Sequence, residues 1–132
     1  MSFVDTNILI DVATNNPTWA SWSRQTLIAA RAKSPLFINA IVYAEFAMPF
    51  EAQSDCDAEI EKFDLRLEEI PLSVAFRTSQ AFRRSGGARA AALPDFFIGA
   101  HASIMRRTLL TRDARRYRAY FPELALVARD GT

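Results

Sequence analysis

The stretch "FVDTNILIDV", residues 3–12, decides how the rest of the chain is read. Phe3 and Val4 make the brief apolar run of a buried strand. The run stops at Asp5, and Ile8, Leu9 and Val12 resume at helical spacing. A strand that passes into a helix through an acid, a threonine and an asparagine places Asp5 at the strand's carboxyl end. In an open parallel sheet, that is the edge where ligands bind.

The same alternation continues along the chain. Pro17 opens a second helical pattern, with Trp19, Trp22, Leu27 and Ala30 near one face, ending before Pro35. "PLFI" (35–38) is a second short strand, and "NAIVYAEFAMPF" (39–50) is an apolar helix with Asn39 as its cap and Pro49 as its stop. Residues 51–69 suggest an acidic amphipathic helix with Ile60, Phe63 and Leu67 facing inward. "EEIPL" (68–72) reads as a third strand, "SVAFRTSQAFRRSG" (73–86) as a helix capped by Ser73, and "GGARAAALP" (86–94) as a basic loop. A helix "DFFIGAHASIMRR" (95–107) entered through Pro94, a strand "TLLT" (108–111), a short helix "RDARRYRAY" (112–120) and a last strand "ELALVA" (123–128) follow. Strands alternating with helices predict a doubly wound parallel β-sheet flanked by helices on both faces.

With 132 residues the chain suits one domain, 1–132, and is too short for two. It is half apolar and 23% charged, which is globular composition rather than disordered or fibrous. No apolar run approaches the roughly 20 residues that span a bilayer, and no basic leader precedes the first strand, so a cytoplasmic protein without a membrane segment is expected. The single Cys56, in the polar stretch "SDCDAE", reads as an incidental thiol. The net charge of +1 hides an asymmetry. Residues 1–76 carry 5 basic and 11 acidic side chains, whereas residues 77–132 carry 11 arginines against 4 acids. That distribution points to an anionic partner on one face, unless the two halves simply neutralise one another in the fold.

Three acids occupy equivalent places: Asp5 after the first strand, Asp113 two residues beyond "TLLT", and Asp95 in the first turn of its helix. Each alone has an ordinary explanation, because an aspartate at a helix start caps free amides for about 1 kcal/mol. Glu45 resists that explanation. It is the only charge between Ser34 and Phe50, inside "AIVYAEFAM", and a carboxylate among apolar neighbours wants a cation. Carboxylates brought together repel by about 4 kcal/mol for a pair about 4 Å apart at an effective dielectric of about 20. A divalent ion removes that repulsion, and an all-oxygen donor set suits Mg²⁺ or Mn²⁺ rather than zinc. His101 lies six positions after Asp95, off its helical face, and is left outside the site.

"FVDTNILIDV", "INAIVYAEFA", "LPDFFIGAHA" and "LLTRDARRYRAYFP", in that order and spanning nearly the whole chain, resemble the PIN-domain ribonucleases, and most closely the VapC toxins of toxin–antitoxin pairs. The resemblance implies that Asp5, Glu45, Asp95 and Asp113 are a catalytic quartet binding Mg²⁺ or Mn²⁺. It implies that Asn7 is the polar residue after the first acid, and that Thr6 and Thr111 orient Asp5 and Asp113. One departure is Arg116, which stands before Tyr117 where some relatives carry a further acid; another is Asn39, where many have serine or threonine. The implied activity is metal-assisted hydrolysis of RNA phosphodiesters with no protein nucleophile. A homodimer and a VapB-like antitoxin that blocks the site are the implied partners.

Arginines are the usual holders of backbone phosphate, and Arg83, Arg84 and Arg89 fall just before Asp95, with Arg112 and Arg115 in a second basic run. Phosphate contacts carry no base identity, so the target RNA is not legible. A signalling receiver domain is a rival with the same fold class, but it needs an acidic pair after the first strand and a lysine near the last; here Thr6 follows Asp5, and the lysines are Lys33 and Lys62. A PIN fold that binds RNA or protein without cutting, and a nuclease directed at DNA, are the remaining alternatives.

Overall fold

Successive residues of a strand point to opposite faces of its sheet, and in the strands over residues 2–4 and 36–38 every residue is buried. The sheet is therefore covered on both sides. The computed structural model describes residues 1–86 and 93–129. In chain order the elements are β1 (Ser2–Val4), α1 (Thr6–Ala13), α2 (Ala20–Lys33), β2 (Leu36–Ile38), α3 (Ala40–Ala47) and α4 (Gln53–Glu61). They continue with β3 (Leu65–Leu67), α5 (Leu72–Arg84), α6 (Leu93–Ile104), β4 (Thr108–Leu110), α7 (Ala114–Tyr120) and β5 (Leu126–Val127).

All pairings are parallel, in the order β3-β2-β1-β4-β5, which is the doubly wound sheet expected from the alternation of elements. The order reverses between β1 and β4, where Phe3 lies opposite Leu109 and Val4 opposite Leu110. A crevice forms at the carboxyl ends of strands that diverge in this way. The core under it comprises Phe3, Val4, Ile8, Leu9, Leu36, Ile38, Ile98, Leu109 and Leu110, all but inaccessible. Phe96 ties α6 to its neighbours through ring contacts with Phe82, Tyr120 and Phe121. Among the described residues, no helix is long and apolar enough to cross a membrane.

Several local expectations are corrected. The acidic helix does not run from 51 to 69: α4 ends at Glu61, Asp64 takes a positive φ of 54°, and Leu65–Leu67 form β3. A left-handed residue ends helical geometry, and Leu65-Arg66-Leu67 alternates with the period of a strand. Leu67 is exposed on this edge strand rather than facing inward. The segment 68–72 consequently lies after the strand; its last pairing is the Glu68 amide donating to the Ile38 carbonyl at 2.8 Å. Ser73 sits inside α5, whose cap position is Pro71, and caps nothing. Pro17 precedes the second helix, and Asn16 organises the entry by accepting from the amides of Thr18 and Trp19. Asn39 does cap α3, its side-chain oxygen accepting from the amides of Ile41 and Val42, both at 3.0 Å.

Candidate active site

Asp5 leaves β1 held by its own amide, which donates to the Leu110 carbonyl of β4 at 2.9 Å. It occupies the N-cap position of α1 and Asp113 that of α7, yet neither carboxylate makes a capping hydrogen bond. Capping therefore explains neither acid. The Asp5 side chain is instead buried among donors: Thr111 Oγ1 at 2.8 Å, the Tyr117 hydroxyl at 3.0 Å and Asn7 Nδ2 at 3.3 Å. All three donate to Oδ2, and no side-chain donor among the described residues reaches Oδ1.

Burial pushes the Asp5 carboxyl up to about 6, against the hydrogen bonds from Thr111 and Tyr117, which lower it; the charges of Asp95 and Glu45 push in the same direction as burial. Three acids from β1, α3 and α6 thus share one electrostatic environment. Glu45 projects from α3 and accepts from Thr6 Oγ1 at 2.6 Å. Thr6 therefore orients Glu45, not Asp5 as the sequence suggested. Thr111 does connect the other two expected partners, donating to Asp5 while accepting from the Asp113 amide at 3.0 Å. Asn7 spans the same gap between β1 and β4, with its amide near Thr111 Oγ1 at 3.4 Å and its oxygen near the Arg112 amide at 3.4 Å.

Sequence reasoning missed two donors on α7. Tyr117 is wholly buried, and its hydroxyl lies 3.5 Å from Asp95 Oδ1 as well as 3.0 Å from Asp5. Burial and the charge of Asp5 hold its phenol well above the usual range, so it remains a donor. Arg116 reaches Asp113 Oδ2 through Nε at 3.1 Å and Nη2 at 2.6 Å, and pairs with Asp95 through Nη1. A tyrosine rather than a phenylalanine as the aromatic of the last short helix is a sequence signal that could have exposed the first donor. The sequence marks the second only as a departure, an arginine where some relatives carry an acid, and not as a donor to the cluster.

The donor chemistry suits a hard divalent cation: carboxylates from four elements, all oxygen, one with its pKa raised by burial and, to a lesser degree, by its acidic neighbours. As the side chains stand, no three His, Cys, Asp or Glu residues among the described residues are gathered closely enough to hold an ion. Arg116 supplies the positive charge between Asp95 and Asp113 instead.

The remaining expectations divide. Arg83, Arg84 and Arg115 are exposed, and Arg89 lies outside the described residues. Arg112 is not free for a ligand: its Nε donates to the buried Asp11 at 2.9 Å, and its guanidinium stacks on Trp19 at 5.4 Å. Asp11 also accepts from Ser23 at 3.0 Å and is structural. His101 is fully buried between Asn39 Nδ2, 3.0 Å from Nδ1, and Glu68 Oε1, 3.1 Å from Nε2; it serves the packing of α6 on α3 and stands outside the acidic cluster. Cys56 is buried in the core.

A model of the PIN domain family matches residues 2–122, which include every helix and all strands but β5. Among solved structures, VapBC2 from Rickettsia felis bound to a promoter DNA fragment superposes with a TM-score of 0.75 at 18% identity, over 98% of each chain. A toxin–antitoxin complex from Klebsiella pneumoniae gives 0.69 at 25% identity over 96% of each chain, and VapBC-1 from nontypeable Haemophilus influenzae 0.70 at 19% over 96% of each. No curated protein matches the sequence. The family match over the strands and helices that carry the acids, together with the shared doubly wound sheet, places this chain in the PIN domain family.

Proposed function

We propose that this protein is a metal-dependent endoribonuclease, acting as the toxin of a type II toxin–antitoxin pair of the VapBC kind. The observation that carries this reading is Asp5: an uncapped carboxylate, buried at the sheet's switch point, raised to about 6 and sharing its surroundings with Asp95 and Glu45. A fold does not need such a charge for stability. Asp5 and Asp95 would hold Mg²⁺ or Mn²⁺, with Glu45 and Asp113 assisting. A divalent ion there supplies Lewis acidity for phosphodiester hydrolysis, acidifying a water and neutralising charge on the phosphate.

The chain's own groups hold the carboxylates ready. Thr111, Tyr117 and Asn7 fix Asp5, and Thr6 fixes Glu45. Arg83, Arg84, Arg89 and Arg115 are the proposed contacts to RNA phosphates. An open depression of about 560 Å³ lined by Asp113, Arg115, Arg116, Ala119 and Tyr120 supports that role for Arg115. Structural neighbours that are toxin–antitoxin complexes support a VapB-like antitoxin as partner. A homodimeric toxin acting in the cytoplasm belongs to the same proposal.

A second reading is favoured by one observation. Arg116 already neutralises Asp95 and Asp113, as it would in a PIN fold that binds RNA or protein without cutting. Cleavage of labelled structured RNAs by the purified chain, freed of partner, decides between them. Cleavage that needs Mg²⁺ or Mn²⁺, stops in chelator and disappears in Asp5→Asn is the expected result. RNA binding without cleavage under every metal condition gives the binding module.

A further inference from the structure

Asp95 lies between a phenol whose proton goes to Asp5 and a guanidinium that pairs with it. Oδ1 lies 3.5 Å from the Tyr117 hydroxyl, and Oδ2 is paired with Nη1 of Arg116. The same guanidinium presents Nε and Nη2 to Asp113 Oδ2, at 3.1 and 2.6 Å. One side chain therefore clamps an acid of α6 to an acid at the start of α7. The two donors differ in freedom: Tyr117 is buried and fixed, whereas the Arg116 side chain is 53% exposed and can swing into solvent. A guanidinium stays charged at every accessible pH, so it leaves the acids only by moving.

Resting on the metal-dependent reading above, we infer that Arg116 is an internal counter-ion that occupies the cation position of the acidic site and competes with the divalent ion for Asp95. Two features support it. A dication and a guanidinium at Asp95 Oδ2 compete for the same negative charge, and their like charges repel at the short separation that would let both touch it. The clamp also places a positive charge between two of the acids, with Asp95 and Asp113 both paired to the one guanidinium. Metal binding then requires Arg116 to release Asp95. Apparent affinity for the ion is lowered by the fraction of molecules in which the clamp is closed.

Calorimetric titration of the full-length protein with MnCl₂, first stripped with chelator, tests this without reference to catalysis. Arg116→Gln removes the charge and is expected to bind Mn²⁺ about tenfold more tightly than the unsubstituted chain, a shift of ~1.4 kcal/mol. Arg118→Gln removes the same charge from an exposed neighbour on α7 and is expected to leave the affinity within about twofold, as a local clamp requires. Thermal melts of both variants in chelator establish that they are folded. Equal or weaker Mn²⁺ binding by Arg116→Gln, with the unsubstituted chain binding normally, overturns the competition and leaves the metal site standing. So does an equal gain in Arg118→Gln, which would make the effect one of overall charge. Absence of Mn²⁺ binding in all three proteins overturns the metal-dependent reading itself.

Discussion

Tyr117 donates its buried hydroxyl to Oδ2 of Asp5 at 3.0 Å, joining α7 to the end of β1 across 112 positions of sequence. The phenol is the rigid donor of the site, because its ring is packed in the core and its proton is held by burial and the Asp5 charge. Tyr117→Phe keeps the packing and deletes the bond. Loss of one such bond costs about 1 kcal/mol, a fall of a few degrees in Tm for a domain of this size. The larger expected effect is on cleavage: a drop of roughly tenfold or more in kcat with KM for RNA nearly unchanged, because the lesion moves Asp5 and touches no phosphate contact. Steady-state kinetics on a labelled RNA separate the two parameters.

Asp5 costs the metal-free fold stability. Its carboxyl is raised from 3.8 to about 6, so between those pH values the native state holds a proton that the unfolded state has lost. Stability from this group therefore falls as pH rises through that window, by on the order of 3 kcal/mol once pH exceeds 6. Asp5→Asn is expected to abolish cleavage yet raise stability in chelator at pH 7 by about 1–3 kcal/mol. The gain should shrink below pH 6 and disappear near pH 4. Urea midpoints of the two proteins at pH 7, 5.5 and 4 give the comparison, and a gain independent of pH would refute the assignment.

Much of this site was legible because strand ends and helix starts leave strong local marks. "FVDTN" and "LLTRD" each place an acid directly beyond a short apolar run, and the parallel sheet brings those ends together between β1 and β4. Glu45 was legible as the one charge in an apolar helix. The partners of these acids were not. Thr6 is adjacent to Asp5 in sequence, but the helix turns its hydroxyl to Glu45, and only three-dimensional placement reveals that. Arg116 stood out only as a basic residue where some relatives carry an acid, and its clamp on Asp95 joins residues 21 positions apart, which the sequence does not show. The mistaken helix over 51–69 has a local cause as well. Ile60, Phe63 and Leu67 fit helical spacing, and the break lies in the backbone of Asp64, a residue type that enters the left-handed region with little sequence warning.

His101 carries the opposite pH dependence to Asp5. Burial lowers its pKa below 6.5 despite the pull of Glu68, so the native state prefers the neutral ring while the unfolded state takes up a proton. Stability from His101 is present above pH 6.5 and lost as pH falls below it. Because Asp5 gains stability over part of the same range, the two are best separated in Asp5→Asn. Adding His101→Gln to that variant is expected to lower stability at pH 7, through loss of the contacts to Asn39 and Glu68, and to flatten the decline between pH 7 and 5. Denaturant titrations at pH 7, 6 and 5 read both effects, and an unchanged slope would contradict this role.

Gly99 sits on α6 where the ring of Phe121 closes against the helix. A methyl group added there would fall 2.5 Å from Cδ2 and Cε2 of Phe121, which is itself buried against Phe96. Gly99→Ala is a favourable change for a helix by propensity, by roughly 0.8–1 kcal/mol, so only the clash can make it destabilising. Overpacking of a buried ring costs about 1–3 kcal/mol, and the balance is expected to fall on the side of a lower Tm. Gly99→Ala with Phe121→Leu should recover part of the loss, since the shorter side chain vacates the contact. A melt in which the single variant gains stability would show that the ring yields freely.

The exposed arginines and the paired one make contrasting predictions for RNA binding. Each phosphate contact to a single strand contributes about 0.7 to the slope of log affinity against log salt, through release of counter-ions. Arg83→Ala and Arg84→Ala, at exposed positions at the end of α5, are expected to weaken binding and each reduce that slope by roughly that amount. Arg112→Ala should behave differently. Its charge is spent on Asp11, which is 1% exposed, so truncation leaves a buried carboxylate without its cation and lowers stability by roughly 3–5 kcal/mol, with less effect on the salt slope of the folded fraction. Fluorescence anisotropy with a labelled RNA, in an Asp5→Asn background that prevents cleavage, measures the slopes over roughly 50 to 200 mM salt. Equal slopes for Arg83→Ala, Arg84→Ala and the parent would remove these arginines from the RNA path.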